Sequence, residues 1–136
     1  MSNLLIGIDP GVQTGLAIWN CEKKAFEKVE SCGIVSAMEK IRWIANDVKL
    51  IRFEDARQRT WFGGKGREAL QGAGSIKRDC KIWQEFCEYY KFKFEMIKPV
   101  KGQTKWDSAY FKKVTGWTGR TNEHGRDAAV LIFGGV

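Results

Sequence analysis

No C-x-x-C pair and no zinc-type spacing joins the four cysteines, Cys21, Cys32, Cys80 and Cys87. Neither a disulfide framework nor a structural zinc is expected. Cys80 and Cys87 lie seven apart on one face of any helix that carries them, too far apart to bond there, so reduced, largely buried thiols are expected. No apolar run approaches the ~20 residues that a bilayer-spanning helix needs. The opening MSNLLIGID has no basic segment ahead of its apolar stretch, so no secretory signal is expected and the default location is cytoplasmic. Internal repeats, low-complexity tracts and linkers are also missing. A single domain over residues 1–136 follows, long enough for one continuous core.

What the sequence does have is positive charge in one place. The net charge is +7, and its distribution is uneven. Residues 1–50 hold six Lys/Arg and six Asp/Glu, residues 51–121 hold sixteen and eight, and residues 122–136 hold one and two. The whole excess falls in the middle, interleaved with Trp61, Phe62, Trp83, Trp106 and Trp117. Bases alternating with aromatics suit a polyanion that carries stackable rings. The plainer alternative is a solvated face that aids solubility, and segregation of the charge favours nucleic acid.

The hydrophobic pattern predicts strands at Leu4–Asp9, Thr14–Asn20 and Lys24–Cys32, the third alternating as a sheet edge would. A helix is predicted over Ser36–Asp47, with Met38, Ile41, Ile44 and Ala45 on one face. Lys49–Glu54 reads as a fourth strand and 55–66, DARQRTWFGGKG, as a basic glycine-rich loop. A long helix follows to about Tyr90, because Ala69, Ala73, Ile76, Cys80, Trp83, Cys87 and Tyr90 recur at spacings of four and three. Phe92–Ile97 is a fifth strand, Asp107–Val114 a short helix, and a last helix runs from an Asn122 N-cap to Gly134-Gly135. The fold class is α/β: a five-stranded mixed sheet, an antiparallel meander of strands one to three and then parallel strands, flanked by helices.

Two of these strands end in acid. The Asp-Pro-Gly after strand one could be turn chemistry alone. If strands one and four are adjacent and parallel, however, Asp9 and Glu54 meet at the carboxyl edge of the sheet, where open α/β sheets bind ligands. His124 and Asp127 share a face of the last helix. Ala128 and Leu131 continue that face, which should turn both inward. Carboxylates ~5 Å apart repel by about 3 kcal/mol per pair at an effective dielectric of ~20, so protonation or cations are needed between them. Oxygen ligands with one imidazole suit Mg²⁺ or Mn²⁺. Two such ions are the usual device for phosphodiester hydrolysis, and beside a basic, aromatic surface the cluster reads as a nuclease. Taken singly, Glu54 or Asp127 would more often be a salt-bridge partner and His124 a surface histidine.

The segments GIDPGVQTGLAIW, LIRFEDARQR and HGRDAAVLI resemble the three metal-site motifs of RuvC-like Holliday junction resolvases, within the RNase H-like superfamily. The resemblance spans nearly the whole chain in order. It implies an RNase H-like fold in which Asp9, Glu54, His124 and Asp127 are the catalytic, metal-binding residues, with two ions of Mg²⁺ or Mn²⁺ per site. It further implies a homodimer that binds a four-way DNA junction and nicks two strands symmetrically in recombination and repair, leaving ligatable 5′-phosphate ends. Resolvases of this family often carry a carboxylate where His124 stands, which bears on metal preference. The long helix lies at the family's dimer interface, although packing on its own sheet would explain most of the stripe here. Trp61-Phe62 occupy the place of the aromatics that enter the junction centre, with Arg57, Arg59 and Lys65 beside the flanking phosphates; either ring could instead fill the protein's own core. Lys101 and Lys105 match basic residues that contact phosphate near the metals.

Three rivals share parts of this pattern. Actin-like ATPases and sugar kinases have a similar first hairpin but need a second lobe, which 136 residues cannot supply, so no nucleotide cofactor is expected. A non-catalytic DNA-binding module would have no reason to keep mutually repelling acids. A ribonuclease on RNA–DNA hybrids would use the same metals, and the long basic loops favour branched DNA over it.

Overall fold

A computed structural model describes residues 3–58, 67–100 and 105–135, and of 67–73 the backbone only. The strands are β1 (Leu4–Asp9), β2 (Thr14–Asn20), β3 (Ala25–Cys32), β4 (Val48–Glu54) and β5 (Phe94–Ile97). The helices are α1 (Ile34–Trp43), α2 (Arg67–Tyr89), α3 (Ser108–Thr115) and α4 (Glu123–Val130). The sheet order is β3-β2-β1-β4-β5. β1, β2 and β3 pair antiparallel, whereas β4 runs parallel to β1 and β5 parallel to β4. This is the expected mixed sheet: a meander followed by parallel strands.

Alternation along the strands sorts the core into two layers. Leu4, Ile6 and Ile8 of β1, with Leu16, Ile18, Ile51 and Phe53, face α1 and α2 through Ala37, Ile41, Trp83, Phe86 and Cys87. Leu5, Ala17 and Trp19 face the opposite way, onto Phe111, Ala128, Ala129 and Ile132. Each fully buried aliphatic side chain contributes about 1.5–3 kcal/mol, so β1 is held from both sides. The stripe expected along the long helix is partly realised among the described side chains, Ala69 and Ala73 lying outside them. Cys80, Trp83 and Cys87 are buried, whereas Ile76 and Tyr90 are 38% and 41% exposed, and Phe86 takes a core place that the spacing did not assign.

Element ends differ from the sequence reading for local reasons. α1 starts at Ile34 and stops at Trp43, and Ala45–Asp47 tighten into a 3-10 turn that β1's approach pins through Asn3 N–H to the Asp47 carbonyl at 3.1 Å. β3 begins at Ala25 because Lys24 turns the chain with φ 53°. Residues 92 and 93 lie outside β5, since Lys91 has φ 60° and Phe92 N–H closes α2 on the Cys87 carbonyl at 2.9 Å. α4 ends at Val130, because Leu131 and Ile132 donate to carbonyls only three residues back. No helix among the described residues is long and apolar enough to cross a membrane.

Candidate active site

After a shift between Leu4 and Leu5, β1 and β4 run in register from Leu5 beside Leu50 to Ile8 beside Phe53. The next residue on each strand is an acid, so Asp9 and Glu54 end side by side on the carboxyl edge of the sheet. Ile8 and Phe53 point to the α1/α2 layer, and alternation therefore sends Asp9 and Glu54 toward α4. The turn after β1 is closed by Thr14, whose buried Oγ1 donates to the Gly11 carbonyl at 2.7 Å. Asp9 instead meets His124, with Oδ2 3.1 Å from the imidazole Nδ1.

Small residues bring α4 to this edge. A Cβ on Gly15 would stand 1.9 Å from the His124 carbonyl oxygen, and one on Gly7 would stand 2.1 Å from that of Ala128. Glycine inside a strand often marks such a close backbone approach. At the start of α4 the Asn122 side-chain oxygen accepts from Gly125 N–H at 2.9 Å. The buried face of α4 is Gly125, Ala128 and Ala129, continued by Ile132. This corrects the expectation that Ala128 and Leu131 would carry His124 and Asp127 inward. Gly125 lies against the β3 backbone at Glu30, which rotates His124 and Asp127 to the border of the buried face. The His124 side chain is 50% exposed and that of Asp9 19%.

The acids interact electrostatically. Burial pushes the Asp9 carboxyl up from 3.8 to about 6; the His124 hydrogen bond opposes this, and the charges of Asp127 and Glu54 add to it. Because the folded protein holds this proton more tightly than the unfolded chain, the stability Asp9 contributes is complete below pH 3.8 and lost as pH rises through about 6. Thermal melts in chelator should therefore show stability falling from pH 4 to pH 7 by up to about 3 kcal/mol from this group, a slope that Asp9→Asn removes. An identical slope in the variant would locate the titrating group elsewhere.

Around the acids the basic residues are differently engaged. Lys105 Nζ lies 2.7 Å from Asp127 Oδ2 and 3.2 Å from Glu123 Oε1. Partial burial works against its charge, but these carboxylates outweigh it and hold the ammonium above its ordinary range. Arg57 folds back onto buried Asp55, with Nε 2.7 Å from Oδ1 and a terminal nitrogen 3.1 Å from Oδ2. Burial would raise the Asp55 carboxyl, yet the hydrogen bonds from Arg57 hold it below its ordinary value. Arg59, Trp61, Phe62, Lys65 and Lys101 lie outside the described residues.

Two features were missed in the sequence. Asp55 behaves as a structural acid: its N–H bonds the Ile97 carbonyl at 2.8 Å, fixing the end of β4 just past Glu54. Its signal was an acid two residues before an arginine. Gly7 and Gly15 carried a signal too, as isolated glycines in otherwise apolar strands.

Asp9, Glu54, His124 and Asp127 thus border one edge, and as a donor set of three carboxylates and an imidazole they suit a hard divalent cation in kind. Among the described residues, no three His, Cys, Asp or Glu side chains stand close enough together to hold one ion.

No protein-family model and no curated protein matches the sequence. Among solved structures the chain is similar to T. thermophilus RuvC in complex with a Holliday junction substrate, with a TM-score of 0.58 at 12% identity over 92% of this chain and 87% of that one. At that identity the likeness is one of fold, and the fold is the RuvC-like, RNase H-like α/β arrangement of a five-stranded mixed sheet flanked by helices.

Proposed function

We propose that this protein is a divalent-metal-dependent endonuclease that cuts branched DNA, the four-way junction foremost. One observation carries the reading. Asp9 and Glu54 end adjacent parallel strands of a RuvC-like sheet, and α4 brings Asp127, whose charge is felt at Asp9, and His124, bonded to Asp9, to the same edge. Asp9, Glu54, Asp127 and His124 would hold Mg²⁺ or Mn²⁺, which when bound supplies a water activated for attack and charge stabilisation at the leaving oxygen. His124 keeps Asp9 oriented through its Nδ1 contact, and burial of Asp9 limits water around it. Lys105, beside Asp127 and Glu123, offers a positive charge near the acids for a scissile-strand phosphate. A four-way junction has two equivalent strands to cut, so a homodimer with two equal sites fits it best.

The test is a cleavage panel of four-way junction, flap, plain duplex and RNA–DNA hybrid, each with Mg²⁺ and with chelator. Metal-dependent cutting that favours the junction is expected. Preference for the hybrid would make the protein a ribonuclease on the same scaffold, and binding without cutting under any metal would leave only a DNA-binding module.

The basic middle segment makes a second expectation. If about six phosphates are neutralised, log K for junction binding should fall with log[salt] at a slope of roughly −5. A slope near zero in a salt titration would reduce the segment to solubilising surface.

A further inference from the structure

Lys105 sits between Asp127 and Glu123, at 2.7 and 3.2 Å. The same Asp127 contributes to the charge felt at Asp9, so one carboxylate belongs both to the acid cluster and to an ammonium pair. We propose that Lys105 is an exchangeable counter-cation: it neutralises Asp127 in the metal-free chain, yields that carboxylate to a divalent ion, and carries its freed charge to a DNA phosphate. The inference rests on the endonuclease reading and deepens it, because it couples metal loading to DNA binding.

The contacts around Lys105 suit an exchange. Its side chain is 63% exposed, and a lysine is a point charge on a flexible four-carbon stem that can re-aim without moving the backbone. Arg126, on α4, contrasts with it. Its guanidinium is fixed to the Trp106 carbonyl at 2.8 Å and Thr121 Oγ1 at 2.9 Å. An ammonium and a divalent ion cannot both hold Asp127 Oδ2 at contact distance without repelling each other, so the second displaces the first. Glu123, on the first turn of α4, gives the ammonium an intermediate resting place. Whatever draws Lys105 away then favours metal, and metal in turn releases Lys105 to phosphate. Such coupling is reciprocal by thermodynamic necessity.

The test is calorimetric titration of Mn²⁺ into the full chain and its Lys105→Met variant, each alone and each saturated with a plain DNA duplex, with folding checked by circular dichroism. Without DNA the variant should bind Mn²⁺ about tenfold more tightly than wild type, and with DNA that gap should close, in the range typical of coupled sites. Equal affinities without DNA would overturn the exchange while leaving the endonuclease reading intact. A gap of the same size with and without DNA would mean simple charge deletion and would also overturn it. If neither protein takes up Mn²⁺, the endonuclease reading itself falls.

Discussion

Asp9→Asn, Glu54→Gln and Asp127→Asn should each cut junction cleavage at least a thousand-fold while junction binding persists. A thousand-fold is about 4 kcal/mol of transition-state stabilisation, of the size expected when a hard cation loses a charged oxygen ligand at the reacting phosphate. Binding should persist because none of these changes removes any of the sixteen Lys/Arg of residues 51–121. The three variants should not destabilise the metal-free protein. Burial and the charges of Asp127 and Glu54 raise the Asp9 carboxyl to about 6, so Asp9→Asn removes a charge that the folded state holds at a cost. Single-turnover cleavage and a binding gel, run on the same preparations with thermal melts in chelator, separate the three effects. Near wild-type cutting by any of them would remove that residue from the site.

Gly15→Ala should be among the most damaging substitutions that leave every polar group in place. Its Cβ would lie 1.9 Å from the His124 carbonyl oxygen, 2.5 Å from the carbonyl carbon and 2.9 Å from Asp9 Cβ. The first two are backbone atoms of α4, which cannot rotate away as a side chain would. Overpacking usually costs 1–3 kcal/mol and occasionally more, and an obstacle of main-chain atoms places this case at about 3 kcal/mol or above. For a chain of this size the loss corresponds to a fall in Tm of roughly 10 °C or more. α4 would have to lift from β2, carrying His124 away from Asp9, so cleavage should fall as well, even below the new Tm. Gly7→Ala, whose Cβ would meet the Ala128 carbonyl oxygen at 2.1 Å, should behave alike. Gly74→Ala is the control: nothing lies within 4 Å of that Cβ, and in the interior of α2 alanine should gain up to about 1 kcal/mol. Thermal melts of the three variants check the order; a Gly15→Ala protein as stable as wild type would mean that α4 does not sit where the acids need it.

These two expectations mark the difference between what was legible in the sequence and what was not. The first strand was legible because LLIGID is a short apolar run closed by turn residues, as a strand buried on both faces requires, and its structure buries Leu4, Leu5, Ile6 and Ile8 alike. The meeting of Asp9 and Glu54 follows from each acid closing its strand, given that β1 and β4 are parallel neighbours. The approach of His124 followed from motif order along the chain. Pairings between charged side chains were not legible, since no local periodicity says that Lys105 will reach Asp127 and Glu123, or that Arg57 will turn back onto Asp55. Nor was the rotation of α4, which depends on Gly125 packing against the β3 backbone rather than on the apolar residues of the helix itself. Helix ends were misjudged where tertiary hydrogen bonds decide them, as between Asn3 and Asp47.

The most direct single measurement is to map the cuts that the wild-type protein makes in an immobile four-way junction in Mg²⁺, with a chelator control. Paired nicks at symmetry-related positions, ligatable afterwards and absent in chelator, are expected from a metal-loaded edge of Asp9, Glu54, His124 and Asp127 working as two equal sites. Cutting that continues in chelator, or no cutting while the junction is fully bound in Mg²⁺ and in Mn²⁺, would contradict it.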